Sequence, residues 1–246
     1  EQNSESIYGT SASPFRRPWW GRCTKKELDN GDTRLYLQVF DWPEDKKLVI
    51  PVNNEAVACY ALAGSQQNFE TEQTEDGILV KLSGEALDEV SSVVVLDIMG
   101  SPLVPNQNLT LDENGMILLS PETGDLENRG YVSSNHARLI HEKEFSYITW
   151  KETRTWLEWP LELPGEQSFD VYAQVATSSP DNLIIFEVDT VEHKFQLPNT
   201  EGLGNFKMVR LGEIELPGGV LMLKVKGENE NWQECYLANI ELRPAD

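Results

Sequence analysis

The chain has 246 residues, with 20 Lys and Arg against 41 Asp and Glu, a net charge of −21 and 39% hydrophobic residues. That is a globular balance, and a length for one large domain or two ordinary ones. The acidity argues against nucleic acid and anionic membrane surfaces as partners, because both need a basic face, and it leaves neutral ligands such as sugars open.

The chain opens Glu1-Gln2-Asn3-Ser4 with no charged-then-apolar leader, so it reads as a soluble piece of a longer protein. The longest apolar runs, Val93-Val94-Val95-Leu96 and Leu183-Ile184-Ile185-Phe186, are strand-sized and far short of the roughly 18 residues of a membrane span. The hydrophobic period is 2 nearly throughout. It predicts strands over 34–40, 47–50, 57–62, 77–82 and 91–98, with β-branched and aromatic residues filling the runs and turn residues between them. Asn30-Gly31 and Asp76-Gly77 are hairpin signals. Helix candidates are few: 85–89 could be one turn, and 136–145 is ambiguous. Gly100-Ser101-Pro102-Leu103-Val104-Pro105-Asn106 combines Gly, Ser and two Pro, as a stiff linker does. Beyond it, strands are predicted over 116–119, 155–159, 168–176, 182–189, 207–211, 219–225 and 236–242. The fold expected is all-β, two antiparallel β-sandwiches in tandem.

Cys23, Cys59 and Cys235 are odd in number and far apart, which argues against a disulfide framework or a zinc site and reads as buried free thiols. No GxSxG, HExxH, P-loop or EF-hand loop is present. Gly202-Leu203-Gly204 starts like a dinucleotide fingerprint, but Lys207 stands where the third Gly belongs. His136, His141 and His193 lack a tight cluster of further ligands, so no metal is expected. Paired carboxylates hydrolyse glycosides, but with 41 acids some pair falls in reach by chance. Glu158 has apolar neighbours in Leu157 and Trp159, yet strand alternation turns it to the opposite face from both. The aromatic content is more informative. Four of the 7 Trp, namely Trp150, Trp156, Trp159 and Trp232, lie in the second half. The apolar C–H faces of sugars stack on such rings, while hydroxyls need Asn, Glu or Arg beside them. Trp156 and Trp159 are three apart and must face opposite ways in a strand. Trp232 sits in the polar stretch Glu228-Asn229-Glu230-Asn231-Trp232-Gln233, a loop position suited to an exposed ring.

Ser4-Glu5-Ser6-Ile7-Tyr8-Gly9-Thr10 resembles the segment with which the catalytic barrel of α-L-fucosidases of glycoside hydrolase family 29 ends. Trp20-Gly21-Arg22-Cys23-Thr24, Leu35-Tyr36-Leu37-Gln38-Val39-Phe40-Asp41-Trp42-Pro43, Lys47-Leu48-Val49-Ile50-Pro51 and Val93-Val94-Val95-Leu96-Asp97-Ile98 follow in the order of that family's C-terminal β-sandwich. The second half resembles a jelly-roll carbohydrate-binding module of the family 6 and 35 type. The matching pieces include Ile148-Thr149-Trp150, Trp156-Leu157-Glu158-Trp159, Phe169-Asp170-Val171-Tyr172, Thr200-Glu201-Gly202-Leu203-Gly204-Asn205-Phe206 and Asn239-Ile240-Glu241-Leu242. Such modules often carry Trp after the Thr-Gly-Gly, and Leu203 stands there, a departure that counts against binding.

The resemblance implies four parts: a barrel tail over 1–10, a fucosidase C-terminal sandwich over 11–100, a linker over 101–114 and a jelly-roll module over 115–246. The parent it implies is a retaining α-L-fucosidase, periplasmic or extracellular and bacterial. Its barrel with the catalytic carboxylates is absent, so no catalytic residue is carried over and the fragment itself is expected to be inactive. The candidate carbohydrate contacts are Trp232, Trp150, Trp156, Asn205 and Tyr236. No cofactor is expected; modules of this type often hold calcium, but no set of calcium carboxylates stands out and calcium is not claimed. The partners implied are the missing barrel against the first sandwich and a weakly bound fucosylated glycan. The alternative is structural, with both sandwiches bracing the barrel and the second binding nothing.

Overall fold

The computed structural model describes residues 4–62, 67–86, 88, 91–128, 137–142, 145–228 and 230–245. It is all-β, and its contacts divide it into two compact units, Glu1–Asn106 and Gln107–Asp246. His136, and parts of the 85–89 and 136–145 segments, lie outside the described residues.

In the first unit the strands are β1 (Ser11–Ala12), β2 (Gly21–Glu27), β3 (Thr33–Val39), β4 (Lys47–Ile50), β5 (Ala56–Ala61), β6 (Glu70–Thr74), β7 (Gly77–Lys81) and β8 (Ser92–Ile98). They form a 5-stranded sheet, β1-β2-β3-β8-β5, and a 3-stranded sheet, β4-β7-β6, with antiparallel pairing throughout. Alternation explains the sandwich. Leu35, Leu37, Val39, Val94 and Leu96 of one sheet meet Leu48, Ile50, Ile78 and Val80 of the other in a single core. The opposite face of the larger sheet is also covered, since all of β8 is buried. Tyr36, Val93 and Val95 form a second cluster there. The 3-10 turn Ser4–Ser6 lies on this face: Thr24 Oγ1 donates to the Ser6 carbonyl at 2.6 Å and the Tyr36 hydroxyl donates to Glu5 at 2.6 Å.

The two hairpin signals have different outcomes. Asn30-Gly31 does turn β2 into β3: Gly31 takes φ of 88° and its N–H reaches the Leu28 carbonyl at 2.9 Å. In the other hairpin Thr74 pairs with Gly77, so the loop residues are Glu75 and Asp76, and Gly77 is the first residue of β7. The glycine answers a close approach there. Its φ is 124°, and a Cβ would stand 2.2 Å from the Ile50 carbonyl oxygen. Gly77→Ala is therefore expected to destabilise the first unit by about 2 kcal/mol. Gly31→Ala, with open space around it, carries only the left-handed backbone penalty of about 1 kcal/mol. Urea melts of the two variants check the order; equal midpoints would refute the clash.

In the second unit the strands are β9 (Ile117–Leu119), β10 (Asp125–Asn128), β11 (Ala137–His141), β12 (Ser146–Trp150), β13 (Thr155–Leu163), β14 (Gln167–Thr177), β15 (Leu183–Val188), β16 (Val191–Gln196), β17 (Lys207–Leu216), β18 (Gly219–Gly227) and β19 (Cys235–Pro244). β12 pairs with β19, β13 with β18, β14 with β17 and β15 with β16, all antiparallel. Each pair nests inside the one before, and successive pairs fall in opposite sheets: β10-β13-β18-β15-β16 and β11-β12-β19-β14-β17. A long hairpin rolled onto itself gives this pattern, which is the jelly roll expected from the sequence. Leu157, Trp159, Leu161 and Leu163 of β13 and Phe169, Val171, Ala173 and Val175 of β14 face each other in its core.

The Gly-Ser-Pro stretch is held at its start to the first unit. The Asn54 amide, 5% exposed, donates to the carbonyls of Met99 and Ser101 and accepts from the Leu103 N–H at 2.7 Å. In the second unit the Leu109 N–H donates to the Pro160 carbonyl at 2.8 Å and the Leu109 carbonyl accepts from the Glu162 N–H at 2.9 Å, which ties 109 to β13.

Candidate functional site

The outer face of the second unit's sheet β10-β13-β18-β15-β16 gathers the residues best placed to contact a ligand. Alternation along β13 turns Leu157 and Trp159 into the core and Trp156 and Glu158 outward. The neighbouring strand presents Lys224 and Lys226; beyond it come Glu187 on β15, and Glu192 and Lys194 on edge strand β16. Of these, Trp156, Lys224, Lys226, Glu192 and Lys194, with Ile185, Arg154 and Glu228, surround a cavity of about 380 Å³, the size of a small-molecule site; Glu158 and Glu187 are hydrogen-bonded to lining residues.

The cavity is charged but compensated. Lys226 donates to both Glu187 and Glu192, to the latter at 2.8 Å, and so reconciles two carboxylates that stand directly opposite each other. Lys224 reaches Glu187 at 3.4 Å, Lys194 reaches Glu228 at 2.7 Å, and Arg154 is paired with Glu152 at 2.9 Å. Burial pushes the Glu187 carboxyl up, but the hydrogen bond from Lys226 and the nearby Lys224 outweigh it and hold it below its ordinary value. Trp156 is half-buried. Its Nε1–H donates to Glu158 Oε1 at 2.6 Å, which fixes the indole, and the Lys224 ammonium lies 4.6 Å from the ring centroid. A hydroxyl entering this space meets donors and acceptors side by side.

The five predicted contacts fall in three places. Trp156 alone lines this cavity. Trp150 is in the core at 1% exposure, beyond a ligand's reach, and its Nε1–H has no partner among the described residues. Trp232, expected as an exposed ring, packs edge-on against Trp150 with centroids 5.4 Å apart and lies so close over Gly227 that a Cβ there would stand 2.6 Å from it. The two rings are placed by different causes: alternation along β12 turns Trp150 inward beside Ile148, and the loop after β18 lays the half-buried Trp232 against that core. Tyr236 points from the outer face of the other sheet, stacked on Tyr147 at 5.3 Å and 27°, with Phe206 and Phe145 beside it. Asn205 is exposed next to that cluster, and its amide donates to the Thr200 carbonyl at 2.7 Å. Lys224, Lys226, Glu187 and Lys194 were not singled out in the sequence. The signal that could have found them is the outward parity of charges along 183–188 and 219–227.

A polar trio elsewhere has the residue types of a hydrolase but not the arrangement. His141 Nδ1 lies 3.0 Å from Glu122 and 2.9 Å from Ser146 Oγ, and Ser146 donates to the same Glu122 oxygen. A proton relay needs acid and nucleophile on opposite ring nitrogens. The bond from His141 holds the Glu122 carboxyl below its ordinary value. Among the described residues no group of three or more His, Cys, Asp or Glu is placed to hold a metal ion.

The thiols are buried and free, and burial pushes each of Cys23, Cys59 and Cys235 up to about 12. The native protein is thus expected to leave all three unreacted with a disulfide reagent at pH 8 and to titrate all three once unfolded. Rapid native labelling of any one would contradict its burial.

No family model matches the chain, and no curated protein matches it. Solved structures do. An α-L-fucosidase from Vibrio sp. strain EJY3 is similar at 17% identity and a TM-score of 0.41, covering 98% of this chain and 43% of that one. A family 35 carbohydrate-binding module from Clostridium thermocellum is similar at 12% identity and a TM-score of 0.43, covering 53% and 98%. A β-1,3-glucan-binding family 6 module from Bacillus halodurans is similar at 14% identity and a TM-score of 0.43, covering 55% and 98%. The chain thus spans less than half the length of the fucosidase. At these identities and scores the likeness assigns neither family nor ligand to this chain. No helix among the described residues is long and apolar enough to cross a membrane.

Proposed function

We propose that the chain is a non-catalytic part of a carbohydrate-active protein, with a second unit that binds glycan weakly and a first unit that packs against a catalytic domain. The observation that carries the reading is Trp156, fixed by Glu158 at the wall of a 380 Å³ cavity whose cations and carboxylates are already paired. An uncharged sugar suits it. The sugar's C–H face stacks on the indole, and its hydroxyls share the Lys and Glu groups without breaking a net charge balance. An anionic sugar would have to displace a carboxylate for every ion pair it gained. The sequence resemblance around Ile7-Tyr8-Gly9-Thr10 makes the parent a retaining α-L-fucosidase, secreted or periplasmic, and the ligand a fucosylated glycan. On that reading 11–100 is the fucosidase sandwich and 115–246 the module. Ile7 and Tyr8, 63% and 78% exposed beside the covered sheet face, are apolar side chains suited to a docking surface.

One platform ring and a few hydrogen bonds offset the ordering of a ligand only in part, so a Kd of about 1 mM is expected. Titration of the chain with fucosylated oligosaccharides, followed by tryptophan fluorescence and NMR, tests this. Trp156→Ala is expected to abolish the response, and 500 mM salt to leave it unchanged. Silence across the panel, or a response that survives Trp156→Ala, would overturn the assignment. The purely structural reading is favoured by Trp150, which lies in the core, and by Trp232, half-buried against it, and silence would leave it standing.

A further inference from the structure

The wall of this cavity contains its own obstruction. Apart from Trp156, the lining comes from β15, β16 and β18 and from the chain just outside β13 and β18. The ring face turned to the cavity is therefore the one on the β18 side, and Lys224 covers it, with Nζ 4.6 Å from the centroid. The indole cannot turn away without losing its 2.6 Å bond to Glu158. Lys224 can move: it is on a flexible stem, and its contact with Glu187 is a long 3.4 Å. The site can give the cavity face of Trp156 to an ammonium or to a sugar, but not to both.

We infer that Lys224 gates the Trp156 ring. In the empty site it closes the platform through its cation–π contact, and a sugar stacks only when Lys224 swings onto Glu187. The inference rests on Trp156 being the platform proposed above, but the gate is measurable without any ligand. Lys224 then lowers affinity and selects against ligands that cannot compensate its displacement, such as a short apolar aglycone with no hydroxyl to accept from the ammonium. Glu187 keeps Lys226 as a partner when Lys224 is replaced, so the substitution leaves no buried carboxylate alone.

The test uses Lys224→Met and Lys224→Arg in the full chain. Met keeps the stem and removes the charge; Arg stacks on indole more firmly than Lys. Oxidation of Trp156 by N-bromosuccinimide, read on its peptide by mass spectrometry, is expected to speed up in Lys224→Met and slow down in Lys224→Arg. A fucosylated trisaccharide is expected to bind about three-fold tighter to Lys224→Met than to the unchanged chain, the size of an exposed cation–π contact, and more weakly to Lys224→Arg. Equal oxidation rates in all three proteins, or sugar binding indifferent to both substitutions, would overturn the gate. Altered oxidation with no sugar bound by any of the three would uphold the gate and overturn the glycan reading instead.

Discussion

Trp159→Ala is expected to destabilise the second unit by about 3–5 kcal/mol, the range for truncating a buried indole. Trp159 is fully buried between the sheets, and two further features raise the effect above simple loss of area. Its Nε1–H donates to the Ser120 carbonyl at 2.9 Å, and the backbone of Gly124 rests on the ring so closely that a Cβ would stand 2.7 Å from it. The turn that enters β10 is thus built on this side chain, and removing it leaves a cavity that packed strands cannot close. The control is Trp150. Both tryptophans lose the same volume on exchange for Phe, but only Trp159→Phe removes a hydrogen bond, from a Ser120 carbonyl that keeps Thr123 and Gly124 as donors, whereas Trp150 Nε1–H has no partner among the described residues to lose. Trp159→Phe should therefore cost about 1 kcal/mol more than Trp150→Phe. Urea unfolding followed by near-UV circular dichroism decides it. A Trp159→Ala midpoint near that of the unchanged chain, or the reverse order of the two Phe variants, would show that the turn does not depend on the ring.

In the first unit the largest loss is expected from Arg34→Met, about 3 kcal/mol. Arg34 and Asp97 stand directly opposite each other on β3 and β8, and the guanidinium meets the carboxylate as a two-pronged pair at 2.7 and 2.8 Å. The hydrogen bond to Asp97 outweighs partial burial and holds Arg34 above its ordinary value. Asp97 is only 8% exposed, on a strand covered on both faces. Removing Arg34 would leave that carboxylate without the guanidinium that neutralises it. Arg34→Met with Asp97→Leu should recover most of the loss, because a paired charge and a matched apolar pair are of similar stability once neither is left alone. A double-mutant cycle on urea midpoints measures the coupling. If the double variant were as unstable as Arg34→Met, the loss would come from packing of the arginine stem and not from the stranded carboxylate.

Both pairs show where sequence reasoning reaches. The opposed faces of Trp156 and Trp159 follow from their spacing alone, because neighbours along a strand point to opposite sides whatever the strand pairs with. The same rule made β3, β4, β7 and β8 legible, with Leu35 and Leu37 alternating against Arg34 and Gln38. It failed on edge strands. β6, Glu70–Thr74, and β16, Val191–Gln196, have few apolar residues because neither buries a full face, so nothing marked them as strands. The hairpin marked by Asp76-Gly77 is present, but the need for glycine there comes from the Ile50 carbonyl of a different strand, which the turn signal does not show.

The candidate site divides along the same line. That Trp156, Glu158, Lys224, Lys226 and Glu187 would each point away from a core was implicit in their parity. That Trp156, Lys224 and Lys226 would line one cavity, with Glu158 and Glu187 bonded to them, was not, because the order β13-β18-β15-β16 is chosen by pairing between distant parts of the chain. Trp150 and Trp232 are the opposite case: aromatic content made both candidates, but Trp150 faces the core beside Ile148 on β12, and the packing of the loop after β18 half-buries Trp232 against it. By itself, then, the sequence determined that this protein is all-β, in two units with buried thiols, and which face of each alternating strand is polar, because the pleat and the hydrophobic effect act locally. The tertiary structure alone decided which polar faces meet, that Asp97 is matched by an arginine 63 residues away, and that a lysine lies over the one accessible cavity tryptophan, because those contacts belong to strand pairing and not to any stretch of chain.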